Sequence, residues 1–211
     1  MGILLKEGYH IKSLKSYSNE RDTNGSLLFN IDFQKYKIKT SNKGIVFLLC
    51  CRFVDENNSD SLRKKQAIKV AEVYNDLINK GHTNVIIAGT LNAPSYSDSL
   101  SPIIETGIKD IVKHESFSVV SDTGKDAGYF RMGAYKIGVN IKQNDYLLVS
   151  PFLFEKLTNS GMNRKAIWPL KKPEWEIYDS VENEKDSASN HPLLWADFRL
   201  EETLKLFRRS A

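Results

Sequence analysis

Cysteine, histidine, tryptophan and long apolar runs are all scarce in this chain. Its two cysteines, Cys50 and Cys51, are adjacent, so no disulfide framework braces the fold. Neighbours on a strand point to opposite faces, which keeps this pair from sharing a metal. They read as buried small hydrophobes in a reducing compartment. No stretch approaches the roughly 18 apolar residues of a membrane span. Met1-Gly2-Ile3-Leu4-Leu5 gives way to Lys6-Glu7 too early for a secretory core. Lys6 also stands where a myristoylation signal would carry Ser or Thr. The expectation is a cytoplasmic protein with no membrane partner. Charge of one sign is lacking too: 30 Lys and Arg oppose 26 Asp and Glu, a net charge of +4, so composition alone does not argue for nucleic acid.

What is present is an ordinary globular composition, 27% charged and 10% aromatic, spread over a length suited to a single domain, 1–211, that buries roughly two thirds of its unfolded surface. Residues 8–17 and 26–33 alternate well enough to predict a hairpin across the polar turn 19–25. The apolar run from Ile45 to Val54, interrupted only at Arg52, predicts an inner strand. Leu62, Ala67, Val70, Ala71, Tyr74, Leu77 and Ile78 recur at helical spacing before Gly81, predicting a helix from Asp60 or Ser61 to Lys80. A strand over 85–88 then completes a crossover unit. Further along, the pattern predicts a helix over 100–111, strands over 117–120, 134–141 and 146–149, a brief helix over 152–157, a long loop over 168–186 and a closing strand over 192–200.

Residues 85–94 read Val-Ile-Ile-Ala-Gly-Thr-Leu-Asn-Ala-Pro, a buried strand running into a Gly-x-x-Asn turn that projects Thr90 and Asn92 at the strand end. In order along the chain follow Asn144-Asp145-Tyr146-Leu147-Leu148-Val149-Ser150-Pro151 and Ser189-Asn190-His191-Pro192. From about residue 27 onward this order resembles the endonuclease/exonuclease/phosphatase family. The resemblance implies an α/β fold, a two-sheet sandwich whose strand ends converge on Mg²⁺ and a phosphate, with in-line attack by water on a phosphoester. Such a reaction needs a base for the water, a cation for the phosphoryl oxygens and charge relief for the leaving group.

Carried over by position, the resemblance makes His191 the base, Asn92 the turn asparagine that holds water and phosphate, and Asp145 a metal ligand. The turn aspartate of the family corresponds to Thr90, the aspartate preceding the base to Asn190, and a phosphate-contacting histidine falls near Arg52. A metal-binding glutamate of the family's N-terminal strands has no counterpart in residues 1–26, so the fold is expected to be incomplete at that end. A threonine hydroxyl cannot take a proton at neutral pH. An asparagine beside a catalytic imidazole carries no charge to stabilise its protonated form, an exchange that costs roughly 10⁴ in rate in a serine protease. Arg52 would still bind an anion, and would do so bidentately.

Each of these residues has a plainer reading. Arg52 ends a strand in water, His191 is a structural histidine before Pro192, Asn92 is a turn residue, and Asp145 caps a strand end. His10, His82 and His114 read as solvated; Glu105, Asp110 and Glu115 read as a wet face, and Arg63-Lys64-Lys65 and Arg208-Arg209 as solvated charge. Trp168, Trp175 and Tyr178, interleaved with Arg164, Lys165, Lys171 and Lys172, form a loop that could stack and neutralise a nucleotide or sugar phosphate. The expectation is the family's Mg²⁺-dependent phosphoester hydrolysis with catalysis impaired or lost; the alternatives are a non-catalytic binder of a phosphorylated small molecule, nucleic acid or protein partner, and a partial fold. In the last case a second copy or a partner chain would cover the exposed sheet edges.

Overall fold

A computed structural model describes residues 3–29, 31–42, 44–55, 60–120, 134–137, 140–168, 176–189 and 191–200. Its largest element is a six-stranded mixed sheet in the order β1 (His10–Ser16), β2 (Gln34–Lys39), β3 (Ile45–Arg52), β4 (Val85–Thr90), β9 (Asp145–Val149) and β5 (Lys109–Asp110). A three-stranded sheet runs β11 (Leu193–Phe198), β10 (Leu157–Asn163), β6 (Phe117–Val120), and β7 (Ala134–Ile137) pairs with β8 (Asn140–Gln143) as a separate ribbon. The expected α/β two-sheet architecture is therefore the one found.

The apolar run at 45–52 becomes an inner strand, antiparallel to β2 and parallel to β4. The crossover between β3 and β4 is helix α1 (Asp60–Asn79). It ends where the sequence places its stop: Gly81 takes φ +81°, and the amides of Gly81 and His82 close onto the carbonyls of Ile78 and Leu77 at 2.9 and 3.1 Å. That is the Schellman arrangement a glycine permits.

Two cores result. On one face of the large sheet, Phe47, Leu49, Val85, Ile87 and Leu148 pack against Ala67, Val70, Tyr74 and Leu77 of α1. On the other, Ile86, Leu147 and Val149 meet Phe117, Met162, Leu194, Ala196 and Phe198 of the small sheet. Each large side chain so buried contributes roughly 1.5–3 kcal/mol, and Cys51 lies in the first core while Cys50 points the other way.

Several elements differ from the sequence expectation. β1 pairs with β2, not with residues 26–33. Leu28, Phe29 and Phe33 bury as loop side chains instead, and packing satisfies their apolar pattern without a ladder. The helix expected over 100–111 is only α2 (Ser101–Ile104): Gly107 adopts φ +82°, and Lys109-Asp110 is claimed by β9. Strand 134–141 is two strands of a ribbon. The brief helix is α3 (Pro151–Glu155), with Leu157 already in β10.

Asp110 is not on a wet face. It is 5% exposed, accepting from the Val112 amide at 3.2 Å and from Gln143 Nε2 at 2.8 Å. Burial pushes its carboxyl up to about 6. Arg63 is likewise buried, paired with Asp60 and donating to the Asp55 carbonyl at 3.0 Å. His82 lies on the Phe47 ring with centroids 4.3 Å apart, and His114 bonds Ser116.

Candidate functional site

Three strand ends set one row of side chains. In register, Arg52 of β3 faces Thr90 of β4, which faces Asp145 of β9. Cross-strand partners share a face, here the one covered by the small sheet, and the row stands at its rim. Close approach of β3 and β4 requires Gly89: a Cβ there would lie 1.8 Å from the Cys51 carbonyl oxygen. The chain then turns at Asn92, whose φ of 52° is a left-handed value asparagine tolerates. The amides of Leu91 and Asn92 donate to the Asn144 carbonyl at 2.7 and 3.4 Å, which fixes the turn against the start of β9.

Asp145 is the centre of the row. Thr90 Oγ1 donates to its Oδ1 at 2.8 Å. From the other sheet, His191 enters just before β11, held by its amide donating to Ser189 Oγ at 2.9 Å. Its Nδ1 lies 2.8 Å from Asp145 Oδ2 and 3.0 Å from Oδ1. The histidine side chain is 34% exposed and the carboxylate 13%. A neutral imidazole that donates through Nδ1 presents its lone pair at Nε2, the tautomer a general base uses.

A second group adjoins the first. Asn92, 7% exposed, donates through Nδ2 to the Phe53 carbonyl at 3.0 Å and to Asp55 Oδ1 at 3.3 Å. Arg52 Nη2 stands 3.5 Å from the same Asp55 oxygen. Helix α1 holds this strand-end loop through Gln66, which accepts from the Val54 amide at 3.0 Å and donates to the Leu28 carbonyl at 2.8 Å.

The structure thus brings Thr90, Asp145 and His191 into direct contact, with Arg52 and Asn92 beside them; Asn190 lies outside the described residues. Among the described residues the carboxylate in contact with the His191 ring is Asp145. Asp55 was missed because it opens the polar run Asp55-Glu56-Asn57-Asn58, where nothing in the sequence separates a site acid from a loop acid. Among the described residues no three His, Cys, Asp or Glu side chains come together as metal ligands. Both Asp145 oxygens already accept hydrogen bonds, and Mg²⁺ sheds water reluctantly without converging carboxylates. The described residues of the site do not fit the ion.

In the aromatic loop, Lys165 pairs with Glu176 at 2.6 Å and Arg164 is buried. Trp175, Lys171, Lys172 and Arg208-Arg209 lie outside the described residues.

No family sequence model and no curated protein matches the chain. Solved structures do. An endonuclease/exonuclease/phosphatase from Bacteroides vulgatus superposes at TM-score 0.54 with 15% identity, over 90% of this chain and 67% of that one. The fold is that of the endonuclease/exonuclease/phosphatase family. A functionally unknown conserved protein from Enterococcus faecalis superposes on this chain at TM-score 0.50, with 12% identity over 93% of this chain and 69% of that one. A Bacteroides thetaiotaomicron member of the family is 17% identical at TM-score 0.40, and the chain spans only 43% of its length.

Proposed function

We propose that this chain binds a phosphate-bearing ligand at the strand-end site and that phosphoester hydrolysis there is impaired or lost. The observation that carries the reading is the Thr90 hydroxyl donating to Asp145 at 2.8 Å. A hydroxyl at this position neither holds a cation by charge nor removes a proton from water. Arg52, 46% exposed along its side chain, supplies the charge for phosphate, and a guanidinium offers a planar fork for two phosphate oxygens. The ligand would be a phosphorylated small molecule or a nucleic-acid end.

The test is hydrolysis of bis-p-nitrophenyl phosphate and of plasmid DNA with Mg²⁺ or Mn²⁺. No measurable turnover is expected. Clear turnover that disappears in His191→Ala would overturn the reading. Binding is read separately, by titrating inorganic pyrophosphate calorimetrically: Arg52→Ala is expected to weaken it about tenfold, equivalent to about 1.4 kcal/mol.

A second reading, residual hydrolysis with His191 as base, is favoured by the Asp145–His191 contact, which would orient the ring as a general base requires. Replacing Thr90→Asp and Asn190→Asp together separates the two. A gain in rate of 10² or more with Mn²⁺ would mean that the rest of the site still supports hydrolysis once these two carboxylates are restored.

A further inference from the structure

The opposite face of the large sheet carries an arrangement that the strand-end site does not use. Strands β1 and β2 hold Lys12, Lys15, Lys35, Lys37 and Lys39 and no acidic residue. Their register sets His10 against Lys39, Lys12 against Lys37 and Lys15 against Lys35. Directly opposed residues share a face and like charges there repel, so two successive Lys–Lys pairs, with Lys39 beside them, crowd cations on one face.

Strict alternation would send Lys15 to the other side from Lys12. The register shifts between Ser13 and Lys15, leaving Leu14 as the extra residue of a bulge, and this returns Lys15 to the lysine face. On β3, Lys35 and Lys37 oppose Leu49 and Phe47, which belong to the α1 side of the sheet. The lysines therefore form a shelf beside α1, turned away from Arg52, Thr90 and Asp145.

Among the described residues none of these five lysines forms an ion pair. Lys15 stands over the Tyr17 ring at 4.5 Å, and the acid that responds to the shelf is Asp76 of α1, held down first by Lys80 and to a lesser degree by Lys35. Lys12, Lys15 and Lys39 are exposed, and Lys35 and Lys37 half-buried. Repulsion of this kind, left uncompensated in a chain with acids in near-equal supply, is relieved by a polyanion.

We infer that the β1–β2 face binds the phosphate backbone of a nucleic acid without reading its sequence. Alternate residues on a strand repeat every roughly 6.6 Å, a spacing close to that of successive phosphates along one strand. Lysines act on phosphates as point charges, and such contacts carry no base information. A lipid surface would call for apolar side chains set among the cations, whereas each cross-strand pair on this face carries at least one lysine.

The test uses the full chain and a fluorescein-labelled 30-base-pair duplex, with anisotropy read at stepped salt. The logarithm of the binding constant should fall with the logarithm of salt concentration, and the slope should shrink by about 0.9 for each lysine removed in Lys12→Gln/Lys35→Gln/Lys37→Gln. The thermal midpoint of that variant should hold or rise, which separates lost binding from unfolding. Lys64→Gln/Lys113→Gln/Lys185→Gln, exposed lysines elsewhere, should bind as the parent does. The inference is overturned if the duplex does not bind, if both triple variants weaken it equally, or if phosphatidylserine vesicles bind more tightly than the duplex.

Discussion

Asp145 takes hydrogen bonds from residues 55 positions before it and 46 after it, so one carboxylate fastens three strands at the rim. In Asp145→Asn the amide can no longer accept charge-assisted bonds on both sides. We expect the Nδ1-protonated tautomer of His191, visible in long-range ¹H–¹⁵N spectra of the parent, to lose its dominance. Asp110 gives a prediction in pH. Its folded pKa, raised from 3.8 to about 6 chiefly by burial, lies above its unfolded value, so the native state binds the extra proton. Stability from this group is full below about pH 4 and is lost as pH rises through about 6. The shift corresponds to at most roughly 3 kcal/mol. Asp110→Asn should therefore flatten the fall in urea midpoint between pH 4 and 7; an unchanged slope would count against the assignment. At Gly89 a methyl would collide with the Cys51 carbonyl, and Gly89→Ala is expected to cost about 3–5 kcal/mol by thermal melting.

Elements show where sequence periodicity suffices. Helix α1 was legible because Leu62, Ala67, Val70, Ala71, Tyr74 and Leu77 keep one face, though Ile78, read with them, is exposed, and because Gly81 can take the left-handed turn; β3, β4 and β9 were legible as apolar runs. β2 was not read as a strand, although Tyr36 and Ile38 alternate with lysines. The apolar residues just before it drew the hairpin partner to 26–33, where burial in a loop accounts for them equally well. β10 escaped because Leu157-Thr158-Asn159-Ser160-Gly161-Met162-Asn163 has little β-branched content and is held by pairing on both sides. At the site, Thr90, Asp145 and His191 were legible, but who contacts whom was not, since register and sheet packing decide that. Two changes test element-level devices. Gln66→Leu strands the Val54 amide and the Leu28 carbonyl and should cost about 2–4 kcal/mol in urea unfolding. Deleting Leu14 removes the bulge while leaving Lys12 and Lys15 on one face, so stability should change by about 1 kcal/mol or less and duplex binding should persist.

At the scale of the molecule, the large sheet separates two surfaces: a strand-end site shared with the small sheet, and a lysine shelf beside α1. Among the described residues the edge of that shelf is β1, whose bulge and lysines oppose pairing with another strand. We therefore expect light scattering to give a mass near the 24.0 kDa of one chain, and a dimer that persists in high salt would contradict this. The rim also has a history within each molecule. Thr90 ends one strand, Asp145 begins another, and His191 arrives only with the last strand of the small sheet, so no consecutive fragment shorter than residues 52–191 contains the whole cluster. A chain emerging from the ribosome can form β3, α1 and β4 early from near neighbours in sequence, yet the rim cluster cannot assemble until His191 has been made and has folded back onto Asp145.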